Sequence, residues 1–366
     1  MKIGILKELK QGEKRVSLSP LIAKKLIENK FEILIEKNAG INSLYENSEY
    51  ENAGATITSK ESIFKSAQVL IKINPFDDED LKFINKQHIL ISQLYYKSNP
   101  ELIKAISEKG ATAFSMDAMP RISKAQDMDV LSSQNNLAGY KAVILGASEM
   151  TKIFPLMMTA AGTITPSKVL IYGVGVAGLQ AIATARRLGA VVEATDIRTE
   201  TKEQTESLGA KFISVENTGE ESEGGYAKEA SEDYVKRQKE AVNKSLFQAD
   251  LVITTANIPG RKAPTLITEE QVKQMKKGAV IIDLAAAQGG NCEVSKLHET
   301  VVLNGVKVLG TTMSPESVST NASELYAKNV YNFITHLTEE LKFKWDLEEE
   351  ITYETLIVKD GIQRKK

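Results

Sequence analysis

The feature that most constrains the fold is the alternation of short apolar runs with longer amphipathic stretches along almost the whole chain. The runs VLIYG, LVITT and AVIID are largely apolar, as expected of strands that are covered on both faces of a parallel sheet. Strands separated by helices imply parallel βαβ units with right-handed crossovers. The sequence therefore predicts an α/β protein with two Rossmann-like parallel-sheet domains.

Two sets of elements predict the domain organisation. Strands are expected near residues 2–7, 31–36, 69–73, 88–92 and 111–114, and a second set near 168–172, 191–195, 251–255, 279–283 and 306–310. Between the sets, Met119–Ile164 predicts a helix that leaves one domain for the next. Ser319–Leu341 has apolar residues at helical spacing and predicts a helix that crosses back, which makes the first domain discontinuous. The expected domains are residues 1–135 with 320–366, and residues 136–319.

Charge and hydropathy exclude several classes of function. The chain has 46 Lys and Arg residues against 48 Asp and Glu residues, so no basic surface for nucleic acid is expected. No window approaches the ~18 uninterrupted apolar residues of a transmembrane helix. The three histidines, His88, His298 and His336, lack the spacing of metal ligands, so no metal site is expected.

A glycine-rich turn predicts a dinucleotide site. The pattern GxGxxG follows the strand VLIY directly and precedes a helix. Its first glycine permits a tight turn, the second lets the backbone approach a pyrophosphate, and the third lets the helix pack on the strand. The helix N-terminus offers free N–H groups to the phosphates. The cofactor-binding residues expected here are Gly173, Gly175, Val176, Ala177 and Gly178.

The end of the next strand bears on the choice of cofactor. Asp196 lies about 20 residues past the glycine-rich turn, where an acidic residue is expected to bind the ribose 2′-OH. Its carboxylate would repel a 2′-phosphate, which favours NAD over NADP. Arg198 argues the other way, because an arginine can pair with that phosphate. NAD is the prediction, and NADP stays open.

Motifs spread over the whole chain resemble those of the NAD(H)-binding alpha subunit of proton-translocating NAD(P) transhydrogenase, which shares a superfamily with alanine dehydrogenase. They are GEKRVSLSP, SMDAMPRISKAQDMDVLSSQNNLAGYKAV, VLIYGVGVAGLQAIATARRLGA, TDIR, GGYAKE, TTANIPGRKAP and DLAAAQGGNCE. The resemblance implies that Arg121, Asp129 and Ser132 hold the nicotinamide end of the dinucleotide, and that Gln126 meets a second nucleotide on a partner subunit. Tyr226, within the charge-rich stretch Thr199–Lys244, would close over the bound NAD(H). The residues implied to line the dinucleotide are Val176, Asp196, Ile197, Arg198, Gly225 and Leu266.

From the residues alone, 121–132 is a polar loop with a helix N-cap, and Tyr226 is an exposed loop aromatic. The composition of Thr199–Lys244 predicts a solvated excursion, which near a cofactor site can act as a lid.

The resemblance also implies the surroundings of the chain. They are a homodimer, an NADP(H)-binding beta subunit and transmembrane subunits, with this chain peripheral on the cytoplasmic face of the inner (cell) membrane. NAD(H) would bind to this chain and NADP(H) to the partner. The sequence ends after IVKDGIQRKK without a hydrophobic extension, so a separate subunit is expected. The implied reaction is hydride transfer from NADH to NADP⁺, coupled to proton translocation and active only with the partner subunits.

Two alternatives remain open. Arg15 and Lys72 match the positions by which alanine dehydrogenases hold pyruvate, which favours a stand-alone amino-acid dehydrogenase. Those enzymes need a His and an Asp as acid–base groups, and this chain has Tyr95 and Ala287 there. Hydride transfer between two nicotinamides moves no substrate proton, and it needs mainly alignment and exclusion of water. The other alternative is a non-catalytic NAD(H) sensor, which would need only the dinucleotide pocket and leaves Gln126, Asp129 and Tyr226 without a purpose.

Overall fold

The structure is a computed structural model that describes residues 1–215, 232–257, 261–310 and 315–365. The strands, in chain order, are β1 (Lys2–Ile5), β2 (Glu32–Glu36), β3 (Thr56–Thr58), β4 (Val69–Ile71), β5 (Ile89–Ser92), β6 (Thr112–Ser115), β7 (Met157–Thr159), β8 (Gly162–Ile164), β9 (Lys168–Tyr172), β10 (Val191–Thr195), β11 (Lys211–Phe212), β12 (Leu251–Thr254), β13 (Val280–Asp283), β14 (Glu299–Leu303), β15 (Val306–Gly310), β16 (Thr338–Glu339), β17 (Lys342–Phe343), β18 (Leu356–Lys359) and β19 (Ile362–Gln363). The α-helices are α1 (Pro20–Glu28), α2 (Asn47–Asn52), α3 (Lys60–Ser66), α4 (Asp78–Leu81), α5 (Pro100–Glu108), α6 (Val130–Glu149), α7 (Val176–Arg187), α8 (Thr201–Ser207), α9 (Glu232–Leu246), α10 (Glu269–Gln274), α11 (Ser319–Leu337) and α12 (Glu350–Thr355). Short 3₁₀ turns lie at Ile41–Ser43, Met116–Ala118, Ser123–Met128, Ala286–Gln288 and Pro315–Val318.

The chain divides into two compact units. Unit 1 is Met1–Gln134 with Pro315–Lys366, and unit 2 is Asn135–Ser314. The first passage between the units falls inside α6, and α11 lies wholly in unit 1. Among the described helices, none is both long enough and apolar enough to cross a bilayer.

Unit 1 is built on a sheet with the order β19-β18-β6-β5-β4-β1-β2-β3. From β6 to β3 all neighbours are parallel, whereas β18 and β19 add antiparallel strands at one edge. Side chains of alternate residues enter different clusters: Val69 and Ile71 join one core and Leu70 the other. Both faces of the parallel part are therefore covered, as its apolar runs predicted.

Helix α11 supplies one wall of the core of unit 1. Its buried residues follow the helical spacing seen in the sequence and are Ala322, Ser323, Tyr326, Ala327, Asn329, Val330, Phe333, Ile334 and Leu337. Most apolar members of this row belong to the same cluster as residues of β1 and β4. Burial of such a row stabilises the helix far more than its intrinsic propensity does.

Unit 2 has the strand order β11-β10-β9-β12-β13-β15-β14, parallel except for β14. Its sheet is also covered on both faces, with Val169 and Ile171 in one cluster and Leu170 in the other. The predicted α/β fold with two Rossmann-like, mainly parallel sheets is confirmed.

The charge-rich stretch Thr199–Lys244 contains regular structure where it is described. Helix α8, strand β11 and most of α9 lie within it. Thr205 and Phe212 are buried against the rest of unit 2, which gives this stretch a packed side. Gly225 and Tyr226, for which the sequence predicts cofactor contacts, lie outside the described residues.

Candidate functional site

The glycine-rich turn of unit 2 lies where the strand order reverses. Strand β9 has β10 on one side and β12 on the other, and its carboxyl end leads through Gly173 into α7. In open parallel sheets, ligands bind in the crevice beyond the carboxyl ends of the strands at this reversal. The turn therefore has the position as well as the pattern of a dinucleotide site.

The three glycines of the turn meet different constraints. Gly173 has a φ of +89°, a conformation that L side chains rarely adopt. A Cβ at Gly178 would lie 1.9 Å from the carbonyl oxygen of Gly173, so α7 packs on the turn only without a side chain there. Gly175 is the N-cap of α7 with an ordinary φ of −87°, and a Cβ there would meet nothing within 4 Å. The middle glycine is thus the one that the protein's own packing does not require, as expected if it leaves space for a ligand.

Two residues that the sequence reasoning missed hold this turn in place. The hydroxyl of Thr255, just after β12, donates to the carbonyl oxygen of Gly173 at 2.9 Å. On α6, Gly139 lies so close to the turn that a Cβ there would be 2.1 Å from the carbonyl oxygen of Ala177. The signals were a threonine after a buried strand and a glycine inside a helix, neither of which indicates its partner.

Asp196, which follows β10, is bound to the glycine-rich turn. Its carboxylate accepts hydrogen bonds from the backbone N–H of Val174 at 2.6 Å and of Arg198 at 2.9 Å. The Arg198 guanidinium donates to the same carboxylate, with its Nε and one terminal nitrogen each at 3.0 Å. Burial alone would raise the pKa of Asp196, but the hydrogen bonds from Arg198 and from the backbone hold it below its ordinary value. A carboxylate with this low pKa is ionised and can accept hydrogen bonds from a ribose.

The other predicted cofactor residues of unit 2 present apolar surface or backbone. Ile197, just after β10, is 96% exposed, and Val176, at the start of α7, is 40% exposed. Leu266 is partly buried, and its N–H donates to the carbonyl oxygen of Asn291 at 2.7 Å. An exposed isoleucine at this position offers apolar surface next in sequence to the Asp196 carboxylate.

Asn291 and Asp283 brace the loops after β12 and β13, and sequence reasoning missed both. The buried Asn291 side chain exchanges two hydrogen bonds with the backbone of Ala256, at 3.0 and 2.9 Å, and donates to Pro264 at 2.8 Å. The buried Asp283 carboxylate accepts from the Thr254 hydroxyl and from the N–H groups of Ala285, Asn291 and Cys292. This network fixes the loops at the same edge of the sheet as the glycine-rich turn.

In unit 1, the segment 121–132 forms a 3₁₀ turn that runs into α6. Asp129 caps α6: its carboxylate accepts from the Ser132 N–H at 2.9 Å and from the Ser132 hydroxyl at 2.6 Å. Arg121 and Gln126 are exposed. The structure thus brings Asp129 and Ser132 together and leaves the polar groups of Arg121 and Gln126 open to a ligand or partner.

The two basic residues at the positions that match pyruvate-binding residues of alanine dehydrogenases are buried in unit 1. Arg15 donates to both carboxylate oxygens of Glu13, at 2.8 and 2.7 Å, and to the Gln134 side chain at 2.9 Å. Lys72, 2% exposed, donates to Asp80 at 2.6 Å. Each of these cations therefore has a carboxylate partner from its own unit.

Tyr95 and Ala287 stand where those dehydrogenases have acid–base residues. Tyr95, in unit 1, has a φ of +47° and donates its N–H to Asp117 and its hydroxyl to Gln93. Ala287, in unit 2, is exposed on a 3₁₀ turn. Neither side chain can exchange a proton near neutral pH, since a phenol titrates near pH ~10 and a methyl group does not titrate.

No group of three His, Cys, Asp or Glu residues in the described ranges is arranged to hold a metal ion. Two of the histidines serve structural contacts instead. His88 accepts from the Asn85 N–H and bonds to the Phe64 carbonyl, and His336 pairs with Glu349 at 3.0 Å.

Comparisons with known proteins agree over the whole chain. Models of the alanine dehydrogenase/PNT family match residues 4–138 (N-terminal domain) and 142–366 (C-terminal domain). An NAD(P) transhydrogenase alpha subunit of Rhodospirillum rubrum is 49% identical, over 99% of this chain and 97% of that protein. The crystal structure of a transhydrogenase from Sinorhizobium meliloti has a TM-score of 0.90 at 40% identity and covers 99% of this chain and 100% of that one. Alanine dehydrogenase of Bacillus subtilis is 32% identical over 80% of this chain and 72% of that enzyme.

Proposed function

The chain belongs to the alanine dehydrogenase/PNT family, and we propose that within this family it is the NAD(H)-binding subunit of a proton-translocating NAD(P)⁺ transhydrogenase. The observation that carries the proposal is the pair of residues Tyr95 and Ala287, which replace the acid–base groups that an amino-acid dehydrogenase requires. A hydride passes from C4 of NADH to C4 of NADP⁺, giving NAD⁺ and NADPH, and no substrate proton moves. The protein then needs to bind, align and exclude water, without a proton donor or acceptor.

The chain's residues divide the work. We assign the dinucleotide phosphates to the turn Gly173–Gly178 and the ribose to Asp196, whose ionised carboxylate disfavours a 2′-phosphate. We assign the nicotinamide end to Arg121, Asp129 and Ser132, and contact with the second nucleotide to Gln126. Gly225 and Tyr226 would cover the bound NAD(H).

The remaining elements of the proposal concern assembly. NADP(H) is held by a beta subunit, and transmembrane subunits couple hydride transfer to proton movement. This chain is a homodimer that lies on the cytoplasmic face of the inner membrane through those partners. The support for these statements is the similarity to transhydrogenase alpha subunits.

A stand-alone amino-acid dehydrogenase is the second candidate, favoured by Arg15 and Lys72 and by the 32% identity to an alanine dehydrogenase. Against it, a substrate carboxylate would have to compete with Glu13 for Arg15 and with Asp80 for Lys72. The structure offers each cation a partner at hydrogen-bond distance already.

One experiment separates the two candidates. NADH absorbance is followed with the purified chain, pyruvate and ammonia, and then after addition of an NADP⁺-loaded partner subunit. We expect no oxidation at first and transfer to NADP⁺ after mixing. Oxidation by pyruvate and ammonia alone would establish the dehydrogenase and overturn the proposal.

Asp129 provides a sharper test, because its structural and functional roles predict different results. Asparagine caps a helix about as well as aspartate, so Asp129→Asn should keep the stability of α6. If the carboxylate acts on the nicotinamide end, hydride transfer should slow by about tenfold or more while much of the NADH affinity remains. Transfer at the parent rate would leave Asp129 as a helix cap only.

A further inference from the structure

Two side-chain amides of α11 donate to one backbone carbonyl in the 3₁₀ turn Ser123–Met128. Asn329 Nδ2 lies 2.7 Å and Asn332 Nδ2 lies 3.1 Å from the carbonyl oxygen of Asp127. The two asparagines are three residues apart and so share a face of the helix. A carbonyl oxygen has two lone pairs, enough to accept from both amides. We call this pair of hydrogen bonds the amide clasp.

The clasp acts at the end of the turn, where the backbone needs partners from outside. The last carbonyls of a helical turn have no partner within it. On the apolar side, Ala125 and Met128 are buried in the cluster that contains Val330 and Phe333. Gln126 lies on the exposed side of the turn. Burial therefore holds one side of the turn, and the clasp holds a carbonyl of the residue that follows Gln126.

Asn329 is a costly residue for this position. It is 4% exposed, and its Oδ1 has no hydrogen-bond partner among the described residues. A buried polar atom without a partner costs about 1–3 kcal/mol. An apolar side chain of similar size would fill the space without that cost, so stability of the core does not explain the amide. Donation to Asp127 does.

We propose that Asn329 and Asn332 are positioning residues for hydride transfer. Asp127 lies one residue after Gln126 and two before Asp129, so a rotation of its peptide group moves both side chains. Misplacement of reacting groups by ~1 Å is enough to slow a reaction about 100-fold. The inference rests on the proposed function, in which this segment carries the contacts to both nucleotides.

The test uses Asn332→Ala and Asn332→Asp, because Asn332 is only partly buried and its variants can fold, together with Asn329→Ala. Asn321→Ala is the matched control, since Asn321 is exposed on the same helix. Three quantities are measured: single-turnover hydride transfer from NADH to an NADP⁺-loaded partner subunit, the dissociation constant for NADH, and amide hydrogen exchange in residues 123–130. We expect transfer to slow about 10- to 100-fold in the clasp variants, with faster exchange in that segment and unchanged NADH affinity.

Several results would overturn the inference. Transfer at the parent rate despite faster exchange would show that the clasp holds the segment without serving the reaction. Unchanged exchange would show that the clasp does not hold the segment. A parallel loss of transfer, NADH affinity and melting temperature would indicate a structural role alone. If the unaltered chain transfers no hydride, the proposed function itself fails, and that result is visible before any variant is compared.

Discussion

At the scale of single residues, the glycine-rich turn separates what folding needs from what binding needs. Gly173 and Gly178 are required by backbone conformation and by the packing of α7. Gly175 is required by neither, because its φ is ordinary and its surroundings are open. Three glycines that are alike in the motif therefore answer to different physical demands.

Alanine substitutions at two of these glycines should behave differently. We expect Gly178→Ala to lower the free energy of unfolding by several kcal/mol, because its Cβ would overlap a backbone oxygen at 1.9 Å. Gly175→Ala should leave stability within about 0.5 kcal/mol yet weaken NADH binding at least tenfold, since its Cβ would occupy the space of the pyrophosphate. Denaturant unfolding and NADH titration measure the two effects. Tight NADH binding by Gly175→Ala would show that the phosphates do not approach this residue.

At the scale of elements, short helices in unit 1 depend on their caps. Helix α12 has six residues, too few to be stable alone. The Glu349 carboxylate caps it by accepting from the Thr352 N–H at 2.8 Å, and it also receives His336 at 3.0 Å. The side chain of Lys124, in the turn that precedes α6, lies 3.3 Å from the other Glu349 oxygen. One carboxylate thus connects α11, α12 and the turn that carries Gln126.

The pH dependence of this cap can be predicted. Burial would raise the pKa of Glu349, but the hydrogen bonds from Thr352 and His336 lower it from 4.5 to about 2. The folded pKa is below the unfolded one, so the contribution to stability is complete above pH 4.5 and is lost as the pH falls from there toward 2. Glu349→Gln should therefore cost about 1 kcal/mol at pH 7 and progressively less as the pH falls below about 4.5.

Urea unfolding at a series of pH values measures this difference. Glu350→Gln, an exposed residue in the first turn of the same helix, is the control and should show little pH-dependent difference from the parent. A cost for Glu349→Gln that stays constant down to about pH 3 would mean that the ionised carboxylate is not what stabilises α12.

At the scale of the whole molecule, each unit has its own sheet with apolar clusters on both faces. The glycine-rich turn, Asp196, Thr255 and Asn291 all belong to unit 2, and the amide clasp belongs to unit 1. In the proposed function, recognition of the dinucleotide's adenosine end is therefore a property of one unit. We expect changes in unit 2 to act mainly on affinity, and changes in the turn before α6 to act mainly on rate.

Ligand linkage gives a prediction for the intact chain. NADH at about 100 times its dissociation constant should stabilise the folded chain by ~2.7 kcal/mol and raise the melting temperature as its concentration rises. NADPH should raise it less at equal concentration, because Asp196 disfavours a 2′-phosphate. In Asp196→Ala this difference between the nucleotides should shrink. Equal shifts for both nucleotides in the parent would move the discrimination away from Asp196.

The sequence by itself determined the class of fold and the location of the dinucleotide turn, because both are written in local patterns. Apolar runs of four to five residues have the period and composition of covered strands, and GxGxxG between strand and helix is a local geometric requirement. The row of apolar residues in α11 was also legible, since one helix face repeats within a few residues. The sequence analysis missed β3, α3 and the antiparallel strand β18, which are short and have little pattern of their own.

Only the tertiary structure decided which distant groups meet. Thr255 reaches Gly173 across 82 residues of sequence, and Asn329 reaches Asp127 across 202. Strand β18 pairs with β6 although Ala113 and Val358 lie near opposite ends of the chain. A polar side chain signals in the sequence that it needs a partner, but the partner's identity depends on where the whole backbone places it. For that reason the cofactor turn was predictable from the residues, and the side chains that hold it and the turn before α6 were not.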